Sequence, residues 1–204
     1  MTRFQITLML LLLPLYVLAA SPNDVIAEAS HLLAEQLEIR KEELRKDKQA
    51  LYAAVDDILL PRFDRKLAAQ LVLGKHWRTA SDAEKARFTD AFYITLLHRY
   101  ADGVLEFDLS RLEILPYRGD ETRNRASVKT KIRLEDGTIV PVTYSLINRT
   151  QGWQMYDVVI EGISYVRNFR AELDSEIGSS NLEAVIKRLE LDAGADAKAT
   201  NIPL

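Results

Sequence analysis

Cysteine is absent from all 204 residues, so the chain forms no disulfide, builds no thiolate metal site and carries no lipid-modified cysteine anchor. Basic residues are not in excess either: 27 Lys and Arg stand against 30 Asp and Glu. A nucleic-acid binder needs a dominant basic face, and this balance does not supply one. The three histidines, His31, His76 and His98, lie on separate segments without metal-ligand spacing. No glycine-rich loop is present to cradle a phosphate, and no Gly-x-Ser-x-Gly turn to expose a nucleophile. The long apolar run at 6–18, interrupted by Thr7, Pro14 and Tyr16, is shorter than the ~20 residues a membrane-spanning helix needs. With Arg3 ahead of it and Val17-Leu18-Ala19 or Leu18-Ala19-Ala20 as the cleavage site, residues 1–20 read as a secretory signal peptide. The expectation is a soluble protein outside the cytoplasm, with one domain over 21–190 and a flexible tail over 191–204, where little remains to be buried.

What is present is organised around 137–170. It reads as two strands joined by a polar loop at 148–152, then a break at Gly162 and a helix from about Ser164. A five-residue loop sets Val140, Val142, Tyr144 and Leu146 beside Ile160, Val158, Tyr156 and Gln154, which makes one wide apolar wall. Upstream, Val128, Thr130, Ile132 and Leu134 alternate with Ser127, Lys129, Lys131 and Arg133. A three-residue loop of Glu135, Asp136 and Gly137, with Gly137 left-handed, aligns Ile132 with Val140 and Val128 with Tyr144. A further strand is expected over 111–117.

Helices precede this meander. Asn23 or Asp24 caps the first, Pro61 ends the second, Asp64 and Gly74 bracket a third, and the Ser81/Glu84 capping box opens a long helix over about 82–107. Phe88, Phe92 and Leu96 stripe that long helix, the best candidate to lie across the sheet. Two short helices follow the strands, the second opened by Ser180 with Glu183. The order predicts an α+β fold, with helices packed on one face of a curved four-stranded antiparallel sheet.

The one carboxylate pair that invites chemistry is Asp157 and Glu161, on one face of a strand. They stand ~13 Å apart, whereas paired carboxylates in glycoside hydrolysis sit within ~5 to 9.5 Å. They are no acid–base couple. Asp157 alone, buried, would serve as a general base; an ion pair is the plainer role. Lys129, Lys131 and Arg133 form a basic row on the outer sheet face, a solvated edge or a surface for lipid headgroups or an acidic partner.

Several runs together carry a family resemblance: Val72-Leu73-Gly74, Trp77-Arg78-Thr79-Ala80, Phe88 and Phe92 with Leu96, and Val140-Pro141-Val142 with Tyr144. Most specific is Gly152-Trp153 followed by Tyr156-Asp157-Val158, Glu161-Gly162-Ile163-Ser164 and Asn168-Phe169-Arg170. From about Asp24 to Leu189 the chain resembles the MlaC family, periplasmic phospholipid-binding proteins of the Mla lipid-asymmetry pathway, also called the toluene-tolerance family. Gln151, Phe169 and Leu173 depart from the glycine, tyrosine and phenylalanine of many relatives.

The resemblance implies a fold similar to the NTF2-like cone and a phospholipid held as cargo between sheet and helices, with no cofactor and no catalysis. It also implies a periplasmic monomer that shuttles lipid between an outer-membrane MlaA–porin complex and an inner-membrane MlaFEDB ABC transporter complex. The lipid-binding positions would then be Val128, Ile132, Val140, Val142, Tyr144, Tyr156, Val158 and Ile160, facing Phe88, Phe92 and Leu96. Two other classes stand beside it. One is an NTF2-like enzyme acting on a small hydrophobic substrate with a buried carboxylate base. The other is an interaction subunit with a dry interior and an exposed apolar patch.

Overall fold

The computed structural model describes residues 21–106, 111–120, 122–134 and 136–199. The expected signal peptide lies outside them. Helix α1, Pro22–Lys46, starts earlier than the sequence suggests because Ser21 and Asp24 form a reciprocal capping box: the Asp24 N–H donates to Ser21 Oγ (3.3 Å) and the Ser21 N–H to Asp24 Oδ2 (2.7 Å). Asp24 is thus the third helical residue and not the cap. Asp47 caps α2, Lys48–Leu59, by accepting from the Gln49 and Ala50 N–H groups. Pro61 turns the chain through a 3-10 turn, Leu60–Arg62, into α3, Arg65–Leu73, which Asp64 caps and Gly74 (φ +53°) ends. Helix α4, Asp82–Glu106, follows the Ser81/Glu84 box as expected. Its expected last residue, Phe107, lies outside the described residues.

The sheet is antiparallel throughout, in the order β1 (Leu112–Ile114), β2 (Arg125–Arg133), β3 (Ile139–Arg149), β4 (Gly152–Ile160) and β5 (Ile163–Ser164). It has five strands where the sequence suggests four. Glu161 (φ +50°) and Gly162 (φ +83°) make a turn tight enough for Ile163 and Ser164 to pair back onto Ile160 and Val159 before α5 begins. At the other edge, β1 is shorter than 111–117: the Leu115 N–H still donates to the Lys129 carbonyl (2.9 Å), but Pro116 has no N–H to continue the ladder.

The β2–β3 hairpin has the expected register. Ile132 pairs with Val140 and Val128 with Tyr144, and Gly137 takes φ +86°. The β3–β4 hairpin does not. Arg149 pairs with Gly152, so the loop is Thr150 and Gln151 alone, and a bulge opposite Ser145 and Leu146 inserts Tyr156 as an extra residue. Tyr144 consequently faces Val158, Val142 faces Ile160, and Leu146 faces Met155.

Helices α5 (Tyr165–Ser179) and α6 (Leu182–Ala199) close the fold. Asn181, rather than Ser180, caps α6 through the Ala184 N–H (2.9 Å), and α6 continues to Ala199 through much of the segment expected as a tail. The helix laid on the sheet is α1, not α4. Val25 and Ile26 pack with Ala126, Val128, Leu146, Trp153 and Met155. The stripe of α4 is claimed instead by its helical neighbours: Phe88 and Phe92 pack with Val72 of α3, Phe169 of α5 and Ile186 of α6, with Phe169 edge-on to Phe92 at 5.2 Å.

Candidate functional site

A compact domain of this size usually has one contiguous apolar core. Here the buried apolar residues fall into four separate clusters. One is a sheet-and-α1 layer, one is helical around Phe88 and Phe92, and one joins α1, α2 and α4 around Leu51 and Val55. The fourth consists of Ile132, Val140 and Val142, flanked by the partly buried Leu112, Leu134, Tyr144, Val158 and Ile160. Among the described residues this last cluster contains no helical side chain. It forms a wall at the β2–β3 hairpin end of the sheet, and five of its eight members are only partly buried.

Tyr144 defines the character of that wall. It belongs both to this cluster and to the layer under α1, and it retains accessible surface. Burial nonetheless raises its phenol above the usual value, opposed in part by a hydrogen bond with the Thr130 side chain. Thr130, itself 2 % exposed, donates to the Val142 carbonyl at 3.3 Å. The pair is the polar feature of an otherwise hydrocarbon surface, as is usual for sites that hold an apolar ligand and orient it with few polar groups.

The structure gathers six of the sequence-predicted positions, Ile132, Val140, Val142, Tyr144, Val158 and Ile160, on this wall. Val128 lies farther along the same face under α1. Phe88, Phe92 and Leu96 do not face the wall: the first two are fully buried in the helical cluster and Leu96 packs against it. Tyr156 is also displaced. The bulge turns it to the outer face, where its ring stacks under the Arg125 guanidinium (5.6 Å to the centroid), and the inward phase passes to Trp153 and Met155. Trp153, Met155, Leu112 and the hydrogen bond between Thr130 and Tyr144 are what sequence reasoning missed. The signal for the first two was a phase change in the apolar pattern, from 160 and 158 to 155 and 153.

Asp157 has a structural role. Its carboxylate accepts from the Ser164 Oγ (2.7 Å) and from the Val166 N–H (3.0 Å), which anchors the start of α5 to β4. Both oxygens are thereby engaged in capping, and neither the ion pair nor the free base anticipated for it is formed. Of the histidines, His76 pairs with Asp174 (2.6 Å) and His98 stacks on Tyr52 (4.1 Å), each between neighbouring elements.

Sequence and fold comparisons bear on the family and the fold. The profile of the family described as MlaC protein matches residues 27–191. The toluene tolerance protein ttg2D of Pseudomonas putida is 28% identical over 199 residues, spanning 97% of this chain and 92% of its own length. The intermembrane phospholipid transport system binding protein MlaC of Haemophilus influenzae is 19% identical over 176 residues, 85% of this chain and 82% of that one. Among solved structures, a phospholipid-binding protein from Ralstonia solanacearum, in complex with a phospholipid, superposes with a TM-score of 0.77 at 19% identity, over 87% of this chain and 99% of the other. At that identity the likeness establishes a shared fold.

Proposed function

The chain belongs to the MlaC family, and on that footing we propose that it is a periplasmic phospholipid carrier whose acyl cargo lies against the sheet-only wall. The observation that carries the reading is that wall itself: an apolar cluster, buried from solvent or partly so, whose described members all come from the sheet and its hairpin. A two-chain phospholipid exposes about thirty methylenes at ~0.8 kcal/mol each, so its unassisted passage through water is negligible. A protein that crosses an aqueous gap with such a cargo must cover the chains and leave the charged headgroup near solvent.

Ile132, Val140, Val142, Tyr144, Val158 and Ile160 supply the hydrocarbon contact. The relative from Haemophilus influenzae bears a name for intermembrane phospholipid transport. By that relationship the carrier shuttles, as a monomer, between the outer-membrane MlaA–porin complex and the inner-membrane MlaFEDB transporter complex. Asp157, held as a helix cap, argues against the enzyme alternative.

Solvent extraction of natively purified protein followed by mass spectrometry is expected to yield phospholipid. Val142→Trp and Val158→Trp fill the wall side of the interior and are expected to lower the lipid-to-protein ratio while the thermal transition stays cooperative. Protein that carries no lipid, together with unchanged ratios in both variants, would mean that the wall is ordinary core.

A further inference from the structure

The outer face of the sheet carries a second concavity, away from the inner wall. Residues 115–120 and 123, from the β1–β2 connection, line with residues of β2, β3 and β4 a cleft of about 750 Å³ that is open to solvent. Its floor is Ser127, Lys129, Ser145 and Tyr156, and Arg118, Arg123 and Arg125 stand around it. The connection is held in place by backbone: the Leu115 N–H donates to the Lys129 carbonyl (2.9 Å) and the Asn148 N–H to the Asn124 carbonyl (2.8 Å). A side chain at Gly119 would meet the Tyr117 ring, which would have to shift.

Several arginines elsewhere are matched with acids: Arg62 with Glu28, Arg65 with Asp90, Arg87 with Glu183 and Glu190, Arg99 with Glu172, and Arg188 with Glu176. Among the described residues that line the cleft, Arg118, Arg123, Arg125 and Lys129 stand with one carboxylate, Asp120. Asp120 is occupied by the Thr122 N–H (2.9 Å) and hydroxyl (2.5 Å) and by Arg123 at 3.5 Å. Arg118, Arg125 and Lys129 have no acidic partner among the described residues, in a chain where acids outnumber bases. Mutual repulsion of three clustered cations is unfavourable unless an anion joins them. The floor adds two serine hydroxyls, and the Arg125 guanidinium is oriented by its stacking on Tyr156. Arginine forks with hydroxyl donors in a concave site match a phosphoryl group.

We propose that this cleft binds a phosphoryl anion, separately from the acyl chains on the opposite face of the sheet. Two sources carry that chemistry: the headgroup of an anionic phospholipid in a bilayer, and a free phosphate. The test compares the purified protein with Arg118→Gln/Arg125→Gln and with Ser127→Glu, which places a carboxylate in the cleft without removing a cation. Lys41→Gln/Lys66→Gln, which lowers the charge equally at exposed sites elsewhere, is the control. Inorganic phosphate is titrated by NMR, and co-sedimentation is measured with phosphatidylcholine vesicles containing or lacking phosphatidylglycerol.

In at least one arm, both cleft variants are expected to weaken binding about tenfold or more, as the loss of a charge-assisted hydrogen bond implies. The control should bind as the parent does, and co-purifying lipid should be unchanged in all variants. Binding confined to the phosphate arm identifies a free anion; binding confined to phosphatidylglycerol vesicles identifies the headgroup. The proposal is overturned if the parent binds neither probe, or if the control loses as much affinity as the cleft variants.

Discussion

The helical cluster around Phe92 and the sheet wall around Val142 are built from the same kinds of residue and serve opposite ends. Phe88, Phe92 and Phe169 are at most 1 % exposed, their rings are in stacked and edge-on contact, and helices α3, α4, α5 and α6 all contribute to that cluster. In the wall Ile132, Val140 and Val142 are buried, whereas Tyr144, Val158 and Ile160 remain partly accessible. A cavity left open in a rigid core is costly, at ~24 cal/mol per Å³, so on the proposed reading the wall would be filled by cargo or close over when cargo leaves, within the frame of the helical cluster.

The contrast can be broken most directly at Phe92. Phe92→Ala is expected to lower unfolding free energy by about 3 to 5 kcal/mol in urea titrations, equally in lipid-loaded and delipidated protein. Val158→Ala should cost about 1 kcal/mol in the loaded form and less once lipid is removed, because its neighbours there include the ligand. If delipidation changed both penalties alike, the two regions would not differ in kind. Next in size is Asp64, the buried carboxylate that joins the regions. It caps α3 through the Leu67 N–H (2.8 Å) and accepts from Arg149 Nε and Nη2 (2.7 and 2.6 Å) at the end of β3. Asp64→Ala removes cap and ion pair together and is expected to cost roughly 3 kcal/mol by the same titration.

The sequence is readable wherever one local rule dominates. Asp64, Gly74, Ser81 with Glu84, and Ser164 act through neighbours three residues away, and each sits at the helix boundary it marks. The β2–β3 register was equally plain, because strict alternation on both strands and Gly137 admit one loop length. The β3–β4 register was not. Counting a five-residue loop ignores that Trp153 and Met155 are out of phase with Val158 and Ile160, a mismatch that a bulge at Tyr156 resolves. Nor does periodicity name a helix's partner. The stripe of α4 is visible in the sequence, but whether it meets the sheet or α3, α5 and α6 depends on contacts far apart in the chain. The outer cleft was visible only as far as Lys129, since Arg118 and Arg125 join it through the path of the β1–β2 connection.

Gly137 offers a smaller test of how the wall is registered. With φ +86° and open space around it, Gly137→Ala introduces no clash, and its expected cost of about 1 kcal/mol is backbone strain alone. Gly178 lies within α5 and is equally uncrowded, without a positive φ, so Gly178→Ala is expected to stabilise by up to about 1 kcal/mol. Opposite signs from the same substitution separate turn geometry from helix propensity.

The smallest effect is set by pH and belongs to the helical side. Arg188 grips Glu176 with two bonds of 2.7 Å and holds its carboxyl below the ordinary value of 4.5. Lys75 and His76 do the same to Asp174, below 3.8. A carboxyl with a depressed folded pKa binds fewer protons folded than unfolded, so its stabilisation is complete above the unfolded pKa and drains away as pH falls through the folded one. These pairs are partly exposed and screened, which keeps each contribution small. Stability should therefore be flat from pH 7 down to about 5 and decline below about 4.5. Urea midpoints across that range would show the decline, and Glu176→Gln should make it shallower. The wall holds no carboxylate among its described members, so Val158→Ala should leave the acid slope unchanged. An equal change in slope from both variants would mean that acid acts on the molecule as a whole and does not distinguish the rigid frame from the adaptable face.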